Sequence, residues 1–138
     1  MRYYVTIDTN VLVSALFNAE SVPGQVIGEA LEGSIIPLYN DEILEEYNEV
    51  LRRRKFKFNR DIIELTIDTI IKRGIAVDAG PVEDVLPDPK DVVFYAVTME
   101  KKKEEDAFLV TGNTKHFPKV SFVVTPKEML DIINGEND

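Results

Sequence analysis

The sequence predicts an α/β fold with a parallel sheet covered by helices on both faces. Two observations lead there. Short β-branched and aromatic runs alternate along the chain with helical stretches, and this alternation implies right-handed βαβ crossovers. The 138 residues also contain no internal repeat or low-complexity linker, which suits one domain spanning residues 1–138.

Each element has a local reason. Tyr3–Ile7 (YYVTI) reads as the first strand, and after it Val11-Leu12-Val13 enters the core. Pro23 to Gly33 reads as a helix, with proline near its start and glycine past its end. Ile35–Leu38 is a short strand. Asp41–Lys55 and Asp61–Arg73 are helices, the second closed by Gly74. Ile75–Val77 is a brief strand, followed by a turn-rich stretch from Asp78 to Pro87. Asp88-Pro89 opens a helix running to about Lys102. Ala107–Thr111 and Ser121–Val124 are strands, and Thr125–Asn134 is the last helix, with Thr125-Pro126-Lys127-Glu128 as its capping box. The Asn137-Asp138 end is expected to be loosely held.

Composition removes whole classes of chemistry. With no cysteine there is no disulfide, thiol nucleophile or zinc-thiolate site, and one histidine, His116, excludes a multi-histidine metal site. No apolar run approaches the ~18 residues of a membrane span. An acid by position 8 comes too early for a signal peptide, so the expectation is a soluble, cytoplasmic chain. The net charge of −9 argues against a generic binder of nucleic-acid backbone. Six of the sixteen basic residues are nevertheless concentrated in Arg52, Arg53, Arg54, Lys55, Lys57 and Arg60. That segment is either a polyanion-binding zone or an ordinary solvated face.

Several acids stand where a parallel sheet binds ligands, outside the carboxyl ends of its strands. Asp8 follows the first strand directly, and its alternative role is to cap the next helix. Thr9, like Asn10, is placed to hydrogen-bond that acid. On Asp41–Lys55, at ~100° per residue, Ile43, Leu44, Tyr47, Val50 and Leu51 share a stripe. Glu42, Glu45 and Glu49 face water, while Glu46 lies at the edge of the stripe, pointing into a cleft or merely skirting the core. Asp88-Pro89-Lys90-Asp91 is either plain helix-start chemistry, with both acids serving the helix terminus, or a division in which Asp88 caps and Asp91 is a ligand, since the apolar helix behind Asp91 must abut the sheet. Thr111 ends a strand, and Asn113 and His116 follow in a polar cluster whose plainer reading is turn chemistry. Such carboxylates, without cysteine or a histidine cluster, select a hard cation, Mg²⁺ or Mn²⁺. A cation of that kind suits phosphodiester hydrolysis.

Four segments together resemble a PIN-domain nuclease: Ile7–Leu16, Asn40–Leu51, Pro87–Asp91 and Leu109–Phe117. They look most like the toxin components of bacterial and archaeal toxin–antitoxin systems related to the VapC-type toxins. The resemblance implies a three-layer α/β/α sandwich of strand order 3-2-1-4-5 and a Mg²⁺- or Mn²⁺-dependent ribonuclease. It also implies metal-binding and catalytic roles for Asp8, Glu46 and Asp91, with Asp88 as an auxiliary acid. The family's fourth acid falls on Asn113, an amide without charge, which weakens a second metal site. Thr9, Asn10, Thr111 and His116 would support the site, and Arg52, Arg53, Arg54 and Lys55 would draw in RNA. Dimerisation and an antitoxin protein complete the expectation. A PIN-like RNA- or partner-binding module with little catalysis is the alternative. A phosphatase of the haloacid-dehalogenase type ranks below both, because Asn10 stands where its second acid belongs.

Overall fold

The computed structural model describes residues 1–84 and 86–136, so Val85 and the expected loose end at Asn137-Asp138 lie outside the described residues. Strand β1 (Tyr3–Ile7), β2 (Ile35–Tyr39), β3 (Ile75–Ala76), β4 (Ala107–Val110) and β5 (Val123–Val124) form one sheet. Its order is β3-β2-β1-β4-β5, every pair parallel, as the resemblance implies. The β1 strand is central, with Tyr4 opposite both Ile36 and Ala107.

The helices are α1 (Thr9–Phe17), α2 (Val22–Glu32), α3 (Asp41–Leu51), α4 (Arg60–Arg73), α5 (Val92–Lys102) and α6 (Pro126–Glu136). Helix α5 packs across β1, β2 and β4, while α2 and α4 pack on β2 and α2 also meets α1 and α6. Val5, Ile7, Leu38 and Leu109 of the sheet are buried with Leu12, Val26, Ile43, Tyr47, Ile63, Phe94, Val97 and Met129 of the helices in one core. Such near-continuous apolar strands are what a sheet covered on both faces requires.

Local chemistry explains the helix ends. Ser21 caps α2 by accepting from the Gly24 N–H, and Gly33 closes it in the left-handed region (φ 96°) that glycine enters without a Cβ clash. The expected capping box holds α6: the Thr125 N–H donates to Glu128 Oε1 at 2.8 Å, and the Glu128 N–H donates to Thr125 Oγ1 at 3.1 Å.

Several expected boundaries move. Helix α3 stops at Leu51 rather than Lys55, because its buried stripe (Ile43, Tyr47, Leu51) would continue onto exposed Arg54 and Lys55. No packing then offsets the cost of further helix. The turn at Asp88 is first 3₁₀, over Pro89–Asp91, and becomes α-helical only at Val92. The edge strands β3 and β5 are shorter than expected, each having a ladder partner on one side only.

Candidate active site

Strand order reverses about β1: the chain first builds outward through β2 and β3, then returns to β4 on the other flank. The carboxyl ends of β1 and β4 therefore open a crevice, the usual ligand position in such sheets. Asp8 and Thr111 follow those two ends, joined by the Asp8 N–H donating to the Val110 carbonyl at 2.9 Å.

Asp8 is 6% exposed and occupies the N-cap position of α1, yet its side chain makes no capping hydrogen bond. Instead Asp8 Oδ2 accepts from Thr111 Oγ1 at 2.7 Å and from Asn10 Nδ2 at 3.3 Å. Asn10 Oδ1 accepts from the Gly112 N–H at 3.0 Å, and Thr111 Oγ1 accepts from the Asn113 N–H at 3.0 Å. Residues 8–10 and 111–113 are thus laced into one unit that fixes the Asp8 carboxylate. A groove of about 230 Å³, lined in part by Asn10, Ser14, Gly112 and Asn113, runs beside it.

Glu46 is the half-buried glutamate of α3, while Glu42, Glu45 and Glu49 are exposed, as its helical phase predicts. Thr9 supports a different acid from the one expected. Its hydroxyl donates to Glu46 Oε2 at 2.6 Å rather than to Asp8, because α1 packs against α3 and its first residue faces that helix.

Asp91 ends the 3₁₀ turn with its side chain 13% exposed. Its Oδ2 is buried without a hydrogen-bond partner, and His116 Nδ1 lies 3.4 Å away. His116 Nε2 is 2.9 Å from Asn113 Nδ2. With that amide donating to Nε2, the ring proton sits on Nδ1, facing Asp91. Asp88 behaves as a cap, its Oδ1 accepting from the Lys90 N–H at 3.0 Å, and its charge bears on Asp91.

Electrostatics tie these acids together. Burial first, then the charges of Asp8 and Asp88, push the Asp91 carboxyl up to about 6, against the opposing pull of His116. Burial also raises Asp8, opposed by hydrogen bonds from Thr111 and the Thr9 backbone, with Glu46 adding to the rise. Tyr47 also takes part in the site, although its place in the apolar stripe of α3 predicts a core role alone. Its buried hydroxyl donates to the Ile7 carbonyl just before Asp8, and burial with the Asp8 and Glu46 charges holds it well above the usual phenol range. A buried tyrosine one residue from Glu46 was the available signal, since such a hydroxyl needs a partner.

The basic residues lie elsewhere. Arg52, Arg53, Arg54 and Lys55 are exposed beyond the end of α3, with Arg53 held by Glu49 at 3.2 Å. As the side chains stand, no three His, Cys, Asp or Glu among the described residues are grouped to hold a metal ion. The donor set nonetheless suits a hard cation: carboxylate and amide oxygens, with the buried Asp91 Oδ2 lacking a hydrogen-bond partner. Asp8, Glu46 and Asp91 are the residues whose carboxylate oxygens could hold such an ion.

An uncharacterized protein of Methanocaldococcus jannaschii is 28% identical over 116 residues, 82% of this chain and 72% of that protein. No solved structure matches the chain significantly. The family model described as PIN domain matches residues 4–115, and the chain belongs to the PIN-domain family.

Proposed function

We propose that the chain is a Mg²⁺- or Mn²⁺-dependent endoribonuclease acting as the toxin of a toxin–antitoxin pair, with residues 1–138 forming one PIN-like domain. PIN domains are in general metal-dependent nucleases. The observation that carries the reading is the desolvated acid group: Asp91, raised by its own burial and by Asp8, Asp88 and Glu46, with Oδ2 unbonded. Carboxylates near one another in this way raise the cost of their shared charge, and a bound cation offsets that repulsion.

In this reading Asp8, Glu46 and Asp91 are the metal ligands, with Asp88 near them. A bound Mg²⁺ or Mn²⁺ supplies charge neutralisation at the phosphate and a more acidic water. Thr111 and Asn10 hold the Asp8 rotamer, and Thr9 holds Glu46. His116 orients Asn113, whose amide oxygen is left to face water or substrate. Arg52, Arg53, Arg54 and Lys55 attract the RNA. The antitoxin and a homodimeric state follow from the likeness to VapC-type toxins, and a cytoplasmic location is part of the same proposal.

The test is RNA cleavage by purified protein with Mg²⁺ or Mn²⁺, beside an EDTA control and Asp8→Asn. Cleavage that needs metal and disappears in Asp8→Asn, with the fold intact, is the expected result. Equal cleavage by Asp8→Asn would discard the site assignment. Asn113 and the present separation of the acids favour a second reading, an RNA- or partner-binding PIN module. It predicts RNA binding that survives chelation without cleavage.

A further inference from the structure

Helices α1 and α3 both lead away from the acid cluster and meet again at their far ends. Helix α1 starts beside Asp8 and ends at Phe17, and α3 carries Glu46 and runs into the loop 52–59. The Phe17 ring lies 5.7 Å from that of Phe56 and 4.8 Å from that of Phe58, centroid to centroid. Phe56 and Phe58 stack on each other at 5.5 Å with planes 20° apart. Phe58 packs against the core, whereas Phe17 is 60% exposed, so the trio presents an open aromatic face. Lys57, between the two stacked rings, has left-handed backbone (φ 56°), an uncommon state for a residue with a Cβ.

The surrounding charge is only partly spent internally. Arg53 pairs with Glu49 and Arg60 with Glu64. Arg54, Lys55 and Lys57 are exposed and make no ion pair among the described residues, and Lys55 Nζ stands 5.1 Å from the Phe56 ring centre. Exposed rings flanked by unpaired cations, on a chain of net charge −9, fit a strand that offers both phosphates and unstacked bases. A duplex hides its base faces and cannot use the rings.

We propose that Phe17, Phe56 and Phe58 form a stacking platform for the bases of single-stranded RNA, with Arg54, Lys55 and Lys57 on its phosphates. The proposal rests on the nuclease reading for its substrate class. The platform lies about 14 Å from Asp8 along α1, nine residues at ~1.5 Å each, so it holds the strand beside the acids rather than at them.

The test is fluorescence anisotropy in EDTA with a labelled oligoadenylate, an abasic strand of equal length, and duplex RNA. Phe17→Ala should weaken oligoadenylate binding roughly 5- to 150-fold and leave the abasic strand unaffected. Phe17→Leu, which keeps the bulk and loses the ring, should follow it and guards against misfolding. Arg54→Ala with Lys55→Ala should weaken both strands alike. A loss below about threefold in Phe17→Ala, an equal loss on the abasic strand, or preference for duplex would overturn the platform. So would a wild type that binds no RNA. Self-association lost in Phe17→Ala with RNA affinity unchanged would make this face a contact between copies and also overturn it. Binding is read without metal, so stacking without any cleavage would sink the nuclease and keep the platform. Metal-dependent cleavage with RNA binding indifferent to Phe17 would do the reverse.

Discussion

Replacing Asp91 by asparagine should stabilise the metal-free protein at about pH 8 while destroying its site. The Asp91 carboxyl is raised from 3.8 to about 6, by burial foremost and then by Asp8 and Asp88. At 1.36 kcal/mol per tenfold, keeping it ionised costs the folded state about 3 kcal/mol. The sign follows from the direction. The folded-state value lies above the unfolded one, so the advantage of the protonated form is complete below about pH 4 and is lost as the pH climbs through 6. An amide cannot ionise, and its gain should be about 1–3 kcal/mol at pH 8, several degrees in Tm for a chain of this size. The assay is urea unfolding followed by far-UV circular dichroism, with EDTA, at pH 8 and pH 4. The gain should be present at pH 8 and nearly absent at pH 4. Saturating Mg²⁺ should then stabilise the wild type, by about 2.7 kcal/mol at a hundredfold excess over Kd, and leave Asp91→Asn unmoved. A variant less stable than wild type at pH 8, or changed equally at both pH values, would refute the claim that Asp91 is held ionised against its surroundings.

Other consequences can be measured on the same preparation. Thr111→Val removes the 2.7 Å hydrogen bond that favours the Asp8 carboxylate. The acid limb of its cleavage profile should therefore move to higher pH, and stability should fall by about 1–2 kcal/mol. Tyr47→Phe keeps the ring and deletes the bond to the Ile7 carbonyl, which should cost about 1–2 kcal/mol in thermal melts by orphaning a buried acceptor. His116→Ala removes a neighbour that lowers Asp91, so the pH midpoint of Mg²⁺ binding by calorimetry should rise. Thr125→Ala breaks the α6 capping box and should cost about 1 kcal/mol without altering cleavage.

The sequence by itself determines whatever repeats within one element. Periodicity separated Glu46 from Glu42, Glu45 and Glu49, because a helical face is set by spacing along one axis. The box at Thr125 and Glu128 and the cap at Asp88 are local too, their partners lying two or three residues apart. Alternation of strand and helix likewise sufficed for a parallel sheet, since a parallel pair needs a crossover between its strands. Only the tertiary structure decided which element meets which. Thr9 turned to Glu46, 37 positions away, and Thr111 to Asp8, 103 positions away. Asp91 faces His116, and Phe17 faces Phe56 and Phe58. The end of α3 at Leu51 was also a tertiary matter, because Arg54 and Lys55 have good helix propensity and lack only a surface to pack on. A side chain's local pattern fixes the face it occupies, and the packing of the whole sheet fixes what stands opposite that face.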